Sequence, residues 1–299
     1  MAGRPSVAGR GRIRGYHPPM LLLVDLDGVV YRGATPVPGM ATLLGQRVAA
    51  GDTIVYVTNN SRWHRDEYHA RLAGMGMPVS PDRIVTAARA TALVLTEDGA
   101  MAVPDDGRRP TGGRPTAMVF GGPGLARELR DVGLRTVAPN GHGLEAAPDA
   151  VVVGVDFSLT YRRLTTAAEA IRRGARFIAT NRDPVYPAAD GLWAGAGSMV
   201  AALAVASGRE PDVVIGKPEP RLFEAAAESV GEDPRRAIVI GDSLATDIAA
   251  ANRLGARSVL MLTGVTTRGQ LDAAPAAARP TAVAEDAAEL SRVLDAMRD

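Results

Sequence analysis

Residues 20–33 read Met-Leu-Leu-Leu-Val-Asp-Leu-Asp-Gly-Val-Val-Tyr-Arg-Gly, and this stretch decides the fold. The apolar run at 21–24 is the pattern of a strand buried on both faces. Such a strand ends in two carboxylates, Asp25 and Asp27, only where something positive meets them, because an unpaired buried carboxylate is far too costly. Gly28 follows at once and allows a sharp turn and a close backbone approach. The carboxyl end of a parallel strand is where open α/β sheets place their sites.

Working outward, the chain alternates strand and helix. Strands are expected at 21–25, 53–58, 84–85, 117–120, 151–155, 176–180, 212–216, 237–241 and 257–262. Helices fall at 39–50, 64–74, 87–95, 125–132, 161–173, 197–207, 219–230, 245–254 and 286–297, with 272–284 as a surface connection. This order predicts an α/β fold, a Rossmann-like doubly wound parallel sheet with an inserted α/β domain. Asp25 and Thr58 lie 33 positions apart, one βαβ unit, whereas Thr58 and Lys217 lie 159 apart. Roughly 120 of those residues exceed what a crossover needs and imply the insertion. The expected division is a disordered basic tail over 1–17, a first core part over 18–86, an inserted α/β domain over 87–205 and a second core part over 206–299. The Gly/Pro/Asp/Arg-rich stretch 97–115 reads as a linker, and the glycines at 121, 122 and 124 as a strand-to-helix turn.

Composition narrows the function. A chain of 299 residues, 46% hydrophobic and with net charge +1, gives no global reason to bind nucleic acid. Zero cysteines exclude disulfides and thiol catalysis, and fit a cytoplasmic protein. No apolar stretch approaches the roughly 20 residues that span a bilayer, so no membrane partner is expected. The arginines at 4, 10, 12 and 14 precede no long apolar segment; the tail reads as a disordered extension, or Met20 as the true start. One of the 34 basic residues is lysine, Lys217, which follows a Val-Val-Ile strand. A surface position would accept either cation, so this single lysine marks a site that a planar guanidinium does not fill.

Four strand ends thus carry polar groups: Asp25-x-Asp27, Thr58-Asn59-Asn60, Lys217-Pro218 and Gly241-Asp242-Ser243-Leu244-Ala245-Thr246-Asp247. In this order the motifs resemble those of the haloacid dehalogenase-like phosphatases, within the NagD-type/p-nitrophenyl-phosphatase/phosphoglycolate-phosphatase branch that carries a large α/β cap. The resemblance covers nearly everything after residue 18. It implies a Mg²⁺-dependent phosphatase acting on a small phosphorylated metabolite through an aspartyl-phosphate. Asp25 is then the nucleophile and Asp27 the general acid and base. Asp25, the Asp27 carbonyl and Asp242 hold the metal, with Asp247 orienting from behind. Thr58, the Asn59 amide and Lys217 bind phosphoryl oxygens. Within the cap, Val185, Tyr186 and Pro187 face the leaving group, and Arg182 meets a carboxylate. Glycerol 3-phosphate and 2-phosphoglycolate are the expected substrates, a nucleoside monophosphate or pyridoxal phosphate the aromatic alternative, and a homodimer through the cap the expected assembly.

The bland alternatives treat Asp25/Asp27 as a turn pair, Thr58/Asn59 as a strand-end turn, and Asp242/Asp247 as an N-cap with an exposed neighbour. His64 and His69 read as exposed on their helix. A mutase is disfavoured by cap placement, since the familiar mutases of the superfamily carry an early helical cap. A non-catalytic regulatory module would have lost one of the key residues, and an ATPase lacks its phosphate loop.

Overall fold

The computed structural model describes residues 19–96, 114–188 and 190–298; the expected tail over 1–17 and most of the expected linker lie outside them. The first segment contains β1 (Leu21–Asp25), β2 (Tyr31–Arg32), β3 (Thr35–Pro36), α1 (Met40–Ala49), β4 (Thr53–Thr58), α2 (Arg65–Gly74), β5 (Ile84–Thr86) and α3 (Ala87–Thr96). Then come β6 (Thr116–Phe120), α4 (Pro123–Asp131), β7 (Arg135–Val137), α5 (Gly141–Glu145), β8 (Ala150–Val153), α6 (Tyr161–Arg172) and β9 (Arg176–Ala179). The hairpin β10 (Val185–Ala188) and β11 (Gly191–Ala194) leads to α7 (Ala196–Ser207) and β12 (Val213–Val214). The chain closes with α8 (Arg221–Glu228), β13 (Ile238–Gly241), α9 (Ala249–Leu254), β14 (Arg257–Met261), α10 (Arg268–Ala273), β15 (Ala282–Ala284) and α11 (Ala287–Ala296).

Among the described residues these strands form two parallel sheets and two short antiparallel hairpins. The first sheet runs β15-β14-β13-β1-β4-β5 and the second β12-β9-β8-β6-β7. In β1, Leu21 and Leu23 enter one apolar cluster while Leu22 and Val24 enter the other, as the unbroken apolar run requires. β1 lies at the switch point, because the chain winds outward from it through β4 to one edge and later through β13 to the other. The crevice at the carboxyl ends of β1 and β13 is therefore the natural ligand position. One apolar cluster is continuous between the units, joining Leu23 and Val57 of the first sheet to Val119 and Ile178 of the second.

The structure differs from the sequence expectations at several points. β12 pairs with β9, so Lys217 follows the last strand of the second sheet and not a core strand, and the second unit extends to Val214 instead of ending at 205. The α3 helix packs on β5 and α8 as well as α4, so residue 87 is not a clean break between units. The surface connection contains β15, which completes an edge of the first sheet. The helix expected over 245–254 begins with a π-helical turn, Leu244–Ile248. No helix among the described residues is long and apolar enough to cross a membrane.

Candidate active site

β1 ends in Asp25, and the turn beyond it places Asp27 at the mouth of a pocket of about 660 Å³. Asp25, Asp242 and Asp247 converge on the pocket floor, each with a carboxylate oxygen within 4.8 Å of the others, and all three are buried. Glycines allow this convergence. Gly28 has φ +81°, and a Cβ there would lie 2.2 Å from Asp242 Oδ2; one on Gly264 would lie 1.8 Å from the same atom. The Val265 N–H donates to Asp242 Oδ2 at 2.7 Å, and the Ser243 N–H to Asp247 Oδ2 at 3.2 Å.

Lys217 stands over this floor, only 4% exposed. Its Nζ donates to Asp25 and, at 2.6 Å, to Asp247, which leaves a third hydrogen for a further acceptor. Burial acts to lower the lysine pKa, but Asp247 and Asp25 outweigh it and hold the ammonium above its ordinary value. Burial raises Asp25 well above the carboxylate range against the pull of Lys217, with Asp247 and Asp242 raising it further. Asp242 is raised to about 6 by burial and by Asp247. Three buried carboxylates against one ammonium leave the floor short of positive charge. The donor set is all oxygen, which suits a hard divalent cation, so these residues fit Mg²⁺. The Asp27 side chain is not in the cluster; burial raises its carboxyl too, opposed by Arg71 and Lys217.

Thr58 ends β4 with its hydroxyl accepting the Asn60 N–H at 3.2 Å. The Asn59 carboxamide is engaged on both sides. Its Oδ1 accepts the Lys217 N–H at 2.8 Å, and its Nδ2 donates to the Lys217 carbonyl at 2.9 Å and to Asp183 at 3.0 and 3.1 Å. The Asn59 side chain thus fixes the backbone of Lys217. Asp183, raised by burial, lines the pocket and was missed in the sequence reading. The signal was present, since Thr180-Asn181-Arg182-Asp183 ends a buried strand as the other motifs do.

Val185, Tyr186 and Pro187 line the pocket from β10. The Tyr186 ring meets Phe157 edge-on at 5.2 Å, and Phe157 meets Trp193 at 5.1 Å. The Arg62 guanidinium of the first unit lies 4.2 Å over Phe157 and 4.4 Å over Trp63, tying the two units together beside Tyr186. Arg182 is turned away: it pairs with Glu210 at 2.8 Å outside this pocket, so the carboxylate-binding role expected of it is corrected.

His64 also corrects its expectation. It is buried, its Nδ1 accepts the Asp66 N–H as the N-cap of α2, and its Nε2 lies 2.9 Å from Asp131 of α4. Spacing along the chain concealed Asp131 and Glu128, the latter 3.4 Å from the same nitrogen, because both lie across the interface between units. Here α4 docks so closely that a Cβ on Gly124 would lie 2.3 Å from the Arg62 carbonyl oxygen. His69 is half-buried.

Comparison with known proteins agrees with this architecture. A haloacid dehalogenase-like hydrolase model matches residues 22–135, and a second HAD-like hydrolase model matches residues 214–290. The chain is 39% identical over 266 residues to the D-glycerol 3-phosphate phosphatase of Mycobacterium tuberculosis, covering 89% of this chain and 69% of that one. Among solved structures, a p-nitrophenyl phosphatase from Archaeoglobus fulgidus superposes with a TM-score of 0.79 at 32% identity, covering 92% of this chain and 100% of that one. A glycerol phosphate phosphatase from Mycobacterium tuberculosis in complex with magnesium superposes at 0.78 and 37% identity, covering 93% and 78%. The chain therefore belongs to the haloacid dehalogenase-like hydrolases, in the NagD-type and p-nitrophenyl-phosphatase branch.

Proposed function

We propose that this protein is a Mg²⁺-dependent phosphomonoesterase for a small phosphorylated metabolite, with Asp25 as nucleophile. The observation that carries the reading is the trio Asp25, Asp242 and Asp247 around one buried lysine, with a fourth acid, Asp27, set apart at the pocket mouth. Asp25, Asp242 and the Asp27 carbonyl would hold the metal, and Asp247 bonds Lys217 beside them. When bound, Mg²⁺ supplies the positive charge that lets an anionic carboxylate approach an anionic phosphoryl group.

Lys217 orients Asp25 and offers its remaining hydrogen to a phosphoryl oxygen, beside the Thr58 hydroxyl. The Asp25 carboxylate forms a bond to phosphorus as the bond from phosphorus to the leaving oxygen breaks, and Asp27 gives that oxygen its proton. Burial shifts the Asp27 carboxyl upward, the direction a general acid needs. Asp27 then takes a proton from water as the water oxygen attacks phosphorus, which releases phosphate and restores Asp25.

The second unit, from Thr116 to Val214, serves as the cap, and Val185, Tyr186 and Pro187 choose the leaving group. The similarity to a glycerol 3-phosphate phosphatase makes glycerol 3-phosphate the first candidate, followed by 2-phosphoglycolate. Tyr186, which lines the pocket and is backed edge-on by Phe157, favours a planar leaving group as the second reading, a nucleoside monophosphate or pyridoxal phosphate. Exposed apolar side chains on the second unit, Leu192 and Tyr161, support a cap-mediated homodimer, and the lack of cysteine supports a cytoplasmic setting. Side-by-side assay of these four substrates with Mg²⁺ tests the reading. Release of phosphate from one of them well above the rest supports it, and no Mg²⁺-dependent release from any of them refutes it.

A further inference from the structure

The loop between β9 and β10 enters the phosphate-binding end of the pocket with a negatively charged residue, Asp183, where an anionic ligand would be repelled. The reason for an acid there lies in what it holds. Both Asp183 oxygens accept from Asn59 Nδ2, at 3.0 and 3.1 Å. The other Asn59 contacts clamp the Lys217 backbone on both its N–H and its carbonyl, and Lys217 Nζ in turn reaches Asp25. A continuous chain thus runs from the substrate-facing loop to the nucleophile.

The loop end of this chain is fixed. Asn181 Nδ2 donates to the Asn59 carbonyl at 2.6 Å, and its Oδ1 accepts the Asp183 N–H at 3.0 Å. From behind, the Gly197 N–H donates to the Asp183 carbonyl at 2.9 Å, and a Cβ on Gly195 would lie 2.3 Å from that oxygen. Across the loop, a Cβ on Gly216 would lie 2.7 Å from both the Asn181 Cβ and Asn59 Oδ1, so neither side can slide.

We propose that Asp183 is a positioning residue that sets Asn59 and, through it, Lys217, coupling the seating of the cap loop to assembly of the phosphate-binding end. This rests on the phosphatase reading above. It makes a prediction opposite in sign to electrostatics alone: deleting this acid removes a repulsive charge, yet phosphate binding weakens because Lys217 loses its register.

The test compares wild-type, Asp183→Ala and Asp183→Asn proteins on p-nitrophenyl phosphate and glycerol 3-phosphate with Mg²⁺, and measures inhibition by inorganic phosphate. Asp183→Ala lowers kcat/KM by about 10–100-fold, by the same factor on both substrates, and weakens phosphate inhibition. Asp183→Asn, whose Oδ1 still accepts from Asn59, stays within about 3-fold of wild type. Tighter phosphate inhibition in the alanine variant, a loss confined to one substrate, or equal damage by alanine and asparagine overturns the proposal. If the alanine variant does not fold, Asp183→Ser, whose hydroxyl is too short to reach Asn59, takes its place with the same expectations. A wild-type protein that hydrolyses neither these two nor any of the other candidate phosphate esters defeats the phosphatase reading instead, and phosphate affinities taken by calorimetry then decide the role of Asp183 separately.

Discussion

Replacing Lys217 by methionine keeps the length of the side chain and removes the buried cation nearest the carboxylate trio. Its Nζ contacts Asp25 and lies 2.6 Å from Asp247 Oδ1, with all three side chains less than a tenth exposed. Removing one partner of a buried ion pair costs about 3–5 kcal/mol, because the other charge is left uncompensated. Here two carboxylates lose their partner, but Asp25, already raised by burial, can take up a proton, and that relief keeps the loss within the same range. Denaturant unfolding in chelator at pH 8 therefore shows Lys217→Met less stable by about 3–5 kcal/mol, with a smaller loss at pH 5, because burial raises Asp25 and favours its uptake of a proton as the pH falls. Hydrolysis of p-nitrophenyl phosphate falls by about 10²–10³-fold in kcat, the cost of one lost donor to developing charge. Lys217→Arg keeps the charge in a space filled by a narrower head and also loses most activity. Unchanged stability at pH 8, or a Lys217→Arg enzyme at the wild-type rate, would refute the reasoning and make the single lysine a coincidence.

Two further outcomes follow from the geometry. Asp242 is raised to about 6 in the folded protein, above its ordinary value of 3.8, so its contribution to stability is full below pH 3.8 and is lost as pH rises through 6. The cation competes with protons for this site, so the rise in melting temperature on adding Mg²⁺ is larger at pH 7.5 than at pH 5; an equal or reversed effect places the ion elsewhere. Gly124→Ala presses a methyl group onto the Arg62 backbone and destabilises the protein by about 1–3 kcal/mol, whereas Gly45→Ala in α1, with open space around it, stabilises it slightly. Thermal unfolding of the pair checks this, and equal effects contradict the close docking of α4.

The fold was legible because its strands are apolar runs with polar ends, a local pattern that needs no knowledge of the partner strand. The same pattern located Asp25, Asp27, Thr58, Lys217, Asp242 and Asp247, which the structure brings to one pocket. What stayed hidden depends on pairs distant in the chain. β12 has two residues and no local mark that says which sheet it joins. The acidic partners of His64 across the interface, Glu128 and Asp131, lie 64 and 67 positions away, and Asp183, the partner of Asn59, is 124 away. Arg182 and Asp183 are adjacent, yet one turns out to Glu210 and the other in to Asn59. Sequence shows that the loop carries both, and only the seating by Gly195 and Gly197 decides which reaches the pocket.

The central claim is that Asp25 forms a bond to phosphorus. Borohydride added during turnover of p-nitrophenyl phosphate with Mg²⁺ reduces an aspartyl-phosphate to homoserine, which mass spectrometry of the peptide spanning residues 20–33 locates. The account predicts reduction at position 25 in the wild-type protein, none in chelator, and none in Asp25→Asn, which also releases no phosphate. Reduction at another residue, or an Asp25→Asn protein with full activity, would contradict it.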